Sequence, residues 1–286
     1  MSAYKVIKKL LNKITVMLIK PPFVSVNITQ IKNSSLLEGK RILITGGSRG
    51  IGLAMAKKFL EGGAKVLITG RSDRNLQEAL KTLSSDKAYS LIYDASDINH
   101  LDDLISKCIK EMGGGLDIVV SNAGISLHEG NILNVTPEGM DKTFDINLKA
   151  HYFLAKAFIK YKVQNNQEGT ILFVTSKDGA VCNEIPYGLT KASMNSLVGA
   201  LSCHYYRKGI RINGIAPGVT VTDMTKSFAE REDGNMYASN YAGRNFIPEE
   251  VAEVANFLVS DASKCVTGQI FYCDGGDHLK SNIQID

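Results

Sequence analysis

Tyr187 and Lys191 stand four residues apart in Pro186-Tyr-Gly-Leu-Thr-Lys191, and Ala192, Met194, Leu197, Val198, Ala200 and Leu201 follow at helical spacing. Four residues make about one helical turn, so the phenol and the ammonium share a face. An ammonium beside a phenol stabilises the phenolate and pulls the Tyr pKa down from its usual value of about 10. Such a Tyr exchanges a proton with a carbonyl or alcohol oxygen near neutral pH. The same spacing also occurs in ordinary helices as a buried ring and a solvated amine. The pair therefore takes its meaning from the elements that position it.

Upstream, Arg41-Ile-Leu-Ile44 reads as a short apolar strand, followed by Thr45-Gly-Gly-Ser-Arg-Gly-Ile-Gly52. A helix is expected over Leu53 to Leu60, and a second strand over Lys65-Val-Leu-Ile-Thr69. In this strand-loop-helix-strand setting the glycines Gly46, Gly50 and Gly52 permit a tight turn, and the helix N-terminus offers free N–H groups to a pyrophosphate. The end of the second strand bears on the choice of dinucleotide. NAD-binding folds place an acid there for the ribose 2′-OH. Here Gly70, Arg71 and Ser72 come first, and the first acid is Asp73. Arg71, with Arg49 of the glycine loop, offers planar donors to a 2′-phosphate and predicts NADP(H) as the cofactor.

With these motifs the chain resembles the short-chain dehydrogenase/reductase family from about Leu37 to Gly276. The matching residues are Thr45-Gly-x-x-x-Gly-Ile-Gly52, Asp94 after the third strand, and Asn122-Ala-Gly124 after the fourth. Asn147 in Ile-Asn-Leu, Ser176, Tyr187-x-x-x-Lys191, Pro217-Gly218 and Thr267-Gly-Gln … Asp274-Gly-Gly276 complete the order. The resemblance implies a Rossmann-like, doubly wound sheet and a hydride transfer between cofactor and carbonyl or secondary alcohol, in which the protein supplies orientation and electrostatics. Tyr187 would be the general acid or base, Lys191 its modulator and a ribose contact, and Ser176 the group that orients the substrate oxygen. Asn147 would hold a water linking Lys191 to solvent. Gly46, Ser48, Arg49, Gly50, Ile51, Gly52, Arg71, Ser72, Asn122, Ala123 and Gly124 would line the cofactor groove. Asp94 would meet the adenine, and Val219 and Thr222, after Pro217-Gly218, the nicotinamide carboxamide. Between Ser176 and Tyr187 the loop is short for the family and carries Lys177, Asp178 and Glu184.

The chain has 286 residues, enough for one large α/β domain or two small ones. Strand-like runs recur at Ile42, Val66, Leu91, Ile118, Ile171, Ile212 and Ile270 with helical stretches between them, which predicts a single domain built on one parallel sheet of about seven strands, covered on both faces. Five Cys without C-x-x-C spacing, and no secretory signal, predict reduced thiols in a cytoplasm. Neither Cys nor His falls at ligand spacing, so no metal site is expected. Residues 1–40 hold seven Lys against Glu38, a net +6, whereas the whole chain is +4; the rest is 4 − 6 = −2. That excludes a basic nucleic-acid-binding domain.

The positive charge belongs to an extension over residues 1–36 that precedes the domain at 37–286. In it, Tyr4 to Lys20 alternates Lys with apolar residues, and Lys13 interrupts the run, so it suits neither a spanning helix nor a signal peptide. It can lie on an anionic membrane, dock on its own homo-oligomer, or form a tail. The reading as a whole is an NADPH-dependent carbonyl reductase whose lid is Asp223 to Ile247, with a 3-oxoacyl thioester as first substrate and a sugar or cyclitol ketone as second. Its rival is an NADP-binding regulatory or scaffold protein without turnover.

Overall fold

The structure is a computed structural model and describes residues 35–229 and 234–279, together with residue 25. Its centre is a parallel sheet of β1 (Arg41–Thr45), β2 (Lys65–Gly70), β3 (Ala88–Ile92), β4 (Ile118–Ser121), β5 (Gly169–Val174), β6 (Ile210–Pro217) and β7 (Ile270–Cys273). The seven strands lie in the order β3-β2-β1-β4-β5-β6-β7. Each expected strand is present at its apolar run. These runs are nearly unbroken because both faces of the sheet are covered, and successive residues feed opposite cores. Ile42 and Ile44 pack into one, Leu43 into the other.

The first core is closed by α1 (Gly50–Glu61), α2 (Asp73–Leu83) and α8 (Pro248–Val259), through residues such as Phe59, Leu76 and Leu258. The second lies under α3 (Leu101–Glu111), α5 (Ala150–Gln164) and α6 (Pro186–Tyr205), with Leu104, Phe158 and Val198. Two short helices, α4 (Pro137–Phe144) and α7 (Lys226–Ala229), complete the chain order. Phe59 and Phe158 are completely buried, so truncating either to Ala costs about 3–5 kcal/mol.

Local chemistry sets the helix starts. The Ser72 hydroxyl caps α2 by accepting from the Asn75 N–H at 3.3 Å, and the Thr136 hydroxyl caps α4, whose first residue is Pro137. At α8 the Glu250 carboxylate accepts from the Ile247 N–H at 3.0 Å. Helix α1 differs. It begins at Gly50, three residues ahead of the expected Leu53, and no side chain caps it.

Strand order reverses between β1 and β4, each of which sends its chain to a different side. A crevice at the C-terminal ends of the strands must open there. Leu37 is fully buried and donates its N–H to the Gly62 carbonyl at 2.9 Å. The expected extension, including the stretch 4–20, lies outside the described residues. So do residues 230–233 within the expected lid. Among the described residues no helix is long and apolar enough to cross a membrane.

Candidate active site

A groove of about 570 Å3 occupies the crevice. The β1 loop forms one wall. Gly46 has φ +64°, a left-handed conformation that costs glycine little. Its neighbour across the crevice is Ala123, whose Cα would stand 2.9 Å from a Cβ at Gly46. Gly52 is tighter still: a Cβ there would lie 2.5 Å from the Gly46 carbonyl oxygen and 2.6 Å from Asn122 Nδ2. Asn122 explains the approach, since its side-chain amide donates to the carbonyls of Thr45 at 2.9 Å and Gly46 at 3.0 Å. The buried Thr45 hydroxyl in turn accepts from the N–H groups of Asn122 (3.0 Å) and Ala123 (3.2 Å). The glycine loop is thus held from beneath, while the first turn of α1 faces the groove without a side-chain cap. That donor set fits a pyrophosphate.

Gly46, Ser48, Arg49, Gly50, Ile51 and Gly52 line the groove, as do Arg71, Ser72 and Asp94. Both arginines are exposed. Arg71 lies near enough to Asp94 to help hold its carboxyl below the usual range, where hydrogen bonds from the Ser96 N–H and hydroxyl act against burial. Arg49 reaches across the crevice to Asp223, 3.1 Å away. Val219 is not on the groove wall. Its carbonyl accepts from the Phe246 N–H, while Pro217, Gly218, Thr220 and Thr222 face the groove.

On the other side, Ser176, Tyr187 and Lys191 converge on the same groove. Ser176 follows β5 and caps a 3₁₀ turn over Lys177–Gly179, its hydroxyl accepting from the Asp178 N–H at 3.1 Å. Proline at the first position starts α6, so Tyr187 sits in its first turn and Lys191 one turn on. The Lys191 ammonium stands 5.5 Å from the centre of the Tyr187 ring and donates to the Val174 carbonyl at 2.9 Å. The expected depression of the Tyr187 phenol is not what this arrangement produces. Burial pushes the phenol up to about 12, against a hydrogen bond with Ser176 that lowers it. Burial also brings Lys191 down to about 8, with Asp178 acting in the opposite direction. The spacing gave the shared face; burial decides the sign.

Asn147 is fully buried in a π-helical turn, Asp145–Lys149, between α4 and α5. Both ends of its amide are taken by one residue: Oδ1 accepts from the Ile125 N–H and Nδ2 donates to the Ile125 carbonyl, each at 2.8 Å. Gly124 lies between Asn147 and Lys191, such that a Cβ on it would be 3.4 Å from Asn147 Oδ1 and 3.9 Å from Lys191 Nζ. His151 also supports this floor. Its ring accepts from the Ser121 hydroxyl at Nδ1 (2.6 Å) and donates from Nε2 to the Ala123 carbonyl (2.7 Å), and burial holds it neutral by lowering its pKa to about 3. A lone His carries no sequence signal for such a role.

The charges of the short loop are largely spent within the protein. Lys177 pairs with Asp277 of the C-terminal segment, whose other carboxylate oxygen accepts from the Tyr241 N–H at 3.4 Å. Asp178 is partly buried beside Ser176 and lies above the usual carboxyl range because of burial. Glu184 is exposed. Among the described residues no three His, Cys, Asp or Glu side chains cluster as metal ligands would.

Residues 46–278 match a family model described as enoyl-(acyl carrier protein) reductase. The chain is 34% identical to the 3-oxoacyl-[acyl-carrier-protein] reductase of Chlamydia trachomatis, over 85% of this chain and 99% of that protein. It is 34% identical to a 3alpha-hydroxysteroid dehydrogenase of Mediterraneibacter gnavus (84% and 97% covered) and 32% to an L-rhamnose 1-dehydrogenase (NADP(+)) of Thermoplasma acidophilum (84% and 96%). Among solved structures, a 3-ketoacyl-(acyl-carrier-protein) reductase from Brucella melitensis complexed with NADH superposes with a TM-score of 0.77 at 31% identity, covering 85% of this chain and all of that one.

Proposed function

The chain belongs to the short-chain dehydrogenase/reductase family of oxidoreductases, and we propose that it reduces a carbonyl substrate with NADPH, Tyr187 being the proton donor. The observation that carries this reading is the convergence of Ser176, Tyr187 and Lys191 on the groove that the glycine loop walls. When bound, the cofactor supplies the hydride. The Ser176 hydroxyl and the Tyr187 phenol both reach the groove and would hold the substrate oxygen between them. With its pKa at about 12, the phenol carries its proton throughout the neutral range and is ready to deliver it to an oxygen that gains negative charge. Lys191, cationic below about pH 8, would stabilise the phenolate left behind and hold the nicotinamide ribose. Ile125 engages both the oxygen and the nitrogen of the Asn147 side-chain amide, and a relay water from Lys191 would rest on the main chain of the π-helical turn.

NADPH is favoured over NADH by the absence of an acid at the end of β2, where Arg71 and Ser72 face the groove. Arg49 would exchange Asp223 for the 2′-phosphate. For the substrate we propose a 3-oxoacyl thioester. Lys177, the cation that would favour a polar or acidic ketone, is neutralised by Asp277. Ile125, Ile146 and Met224 give the groove apolar walls. A scaffold role without turnover finds no supporting feature in the site. The test is the oxidation of NADPH and of NADH, followed at 340 nm, across acyl-thioester, steroid, sugar and cyclitol ketones. Turnover of the thioester with at least tenfold preference for NADPH is expected. Turnover of the sugar ketone alone would move the substrate class, and no turnover of any ketone would overturn the reading.

A further inference from the structure

A second cavity, of about 580 Å3, opens on the opposite edge of the sheet, where β1, β4, β5 and β6 begin. Its walls carry five cations and three carboxylates, an excess of two positive charges. Most of the cations already have partners. Arg41 holds Asp117 in a two-point pair, at 2.8 and 2.9 Å. Lys40 and Lys264 share Asp261 at 3.1 and 3.8 Å. Arg211 is buried and donates to the carbonyls of Leu258, Ser260, Ser263 and Val266, which fastens the end of α8 to β6.

Lys162 is different. It belongs to the last turn of α5, is 2% exposed and lines the cavity. An ammonium has three protons to place. Among the described residues, this one has a single hydrogen-bond acceptor, Gln167 Oε1 at 3.5 Å. The carboxylate nearest to it, on Asp117, is 3.9 Å away and already committed to Arg41. The rings of Phe158 and Tyr161, with centres 5.6 and 5.3 Å off, are its remaining company. Burial lowers the Lys162 pKa, and the charges of Arg41 and Lys40 lower it further, while Asp117 raises it. A buried cation with so little hydrogen bonding is costly unless an anion joins it.

We propose that this cavity binds a small multivalent anion bearing phosphate or carboxylate oxygens, with Lys162 as its inner anchor. The site lies at the N-terminal ends of the strands, whereas the cofactor groove lies at the C-terminal ends, so the two are separate in space.

The experiment compares the melting temperature of the full chain, with inorganic phosphate and with citrate, in the wild type and in two variants. Lys162→Met removes the anchor and keeps the stem. Gln167→Glu places a permanent anion beside the ammonium and remains informative if the first variant folds poorly. The wild type is expected to gain about 2–5 °C at saturating anion, as binding to the folded state alone requires, and both variants to gain markedly less. A general salt effect, or phosphate binding in the cofactor groove, would act on all three proteins alike. A response to one anion and not the other supports the site and identifies its oxygen chemistry. An equal gain in all three proteins, or no gain in the wild type with either anion, would overturn the proposal.

Discussion

The two walls of the groove are built by different means. On the glycine-loop side, the supporting bonds join strands that are neighbours in the sheet. Thr45, at the end of β1, receives the N–H groups of Asn122 and Ala123, just past β4, and Asn122 returns two bonds to the loop. On the other side, the bonds join loops that lie outside the sheet. Arg49 holds Asp223, Lys177 holds Asp277, and the His128 ring lies 3.0 Å from the Met224 carbonyl. The first wall is anchored in backbone geometry and admits little change. The second is made of an exposed ion pair, a partly buried ion pair and a hydrogen bond to a backbone carbonyl; the exposed pair contributes about 0–1 kcal/mol and can be exchanged for a ligand. A rigid wall suits a constant ligand, and an exchangeable one suits the part of the reaction that varies.

Changes to Lys191 should do large damage, because it would serve both the cofactor and the proton transfer. Lys191→Met is expected to lower kcat/KM for reduction about 100-fold or more, measured by steady-state NADPH oxidation. The wild-type pH profile sharpens the point. Lys191 has a pKa lowered to about 8, so its charge is present below that pH and lost as the pH rises through it. The phenol, at about 12, stays protonated over the same range. Reduction should therefore be level below about pH 8 and fall above it, and the variant should lack this break. A profile that rises above pH 8 would mean that the phenolate, not the phenol, is the active form.

Gly52→Ala attacks the rigid wall alone. Its Cβ would meet the Gly46 carbonyl and Asn122 Nδ2, which are hydrogen-bonded to each other. Strain of this kind costs about 1–3 kcal/mol, and NADPH affinity should fall about tenfold to a hundredfold by titration calorimetry. Affinity within twofold of the wild type would show that the loop is less tightly held than its bonds imply. Arg71→Asp should erase a preference for NADPH of about tenfold, equal to about 1.4 kcal/mol, when kcat/KM is measured with both cofactors. At the exchangeable wall, Asp277→Asn releases Lys177 and should change KM for the ketone by no more than about threefold, with kcat preserved. A large fall in kcat there would place the pair inside the chemistry.

Sequence pattern revealed the rigid wall more fully than the exchangeable one, for physical reasons. The glycines, Asn122, Tyr187 and Lys191 act through short spacings and through elements whose apolar runs are visible, and all seven strands stand where those runs lie. The start of α1 was less visible, because its first turn begins on glycine, a poor helix former, and is left uncapped. Contacts such as Lys177 with Asp277, a hundred residues apart, leave no local pattern. His151 is a further case: its role depends on Ser121 and Ala123 meeting its two ring nitrogens from another strand end. The Tyr187 and Lys191 spacing specified a common face, but not the depth of burial that raises the phenol, and so the direction of the phenol's shift was not legible.

The central claim is that the Tyr187 phenol gives its proton to a carbonyl oxygen in a groove that binds its cofactor independently of that phenol. Tyr187→Phe removes the hydroxyl and keeps the ring that packs beside Lys191. NADPH affinity, by titration calorimetry, and single-turnover reduction, by stopped-flow absorbance, should be measured on the same preparation. The account predicts affinity within about threefold of the wild type and a reduction rate lowered about 10²–10⁴-fold. A rate within tenfold of the wild type would contradict it.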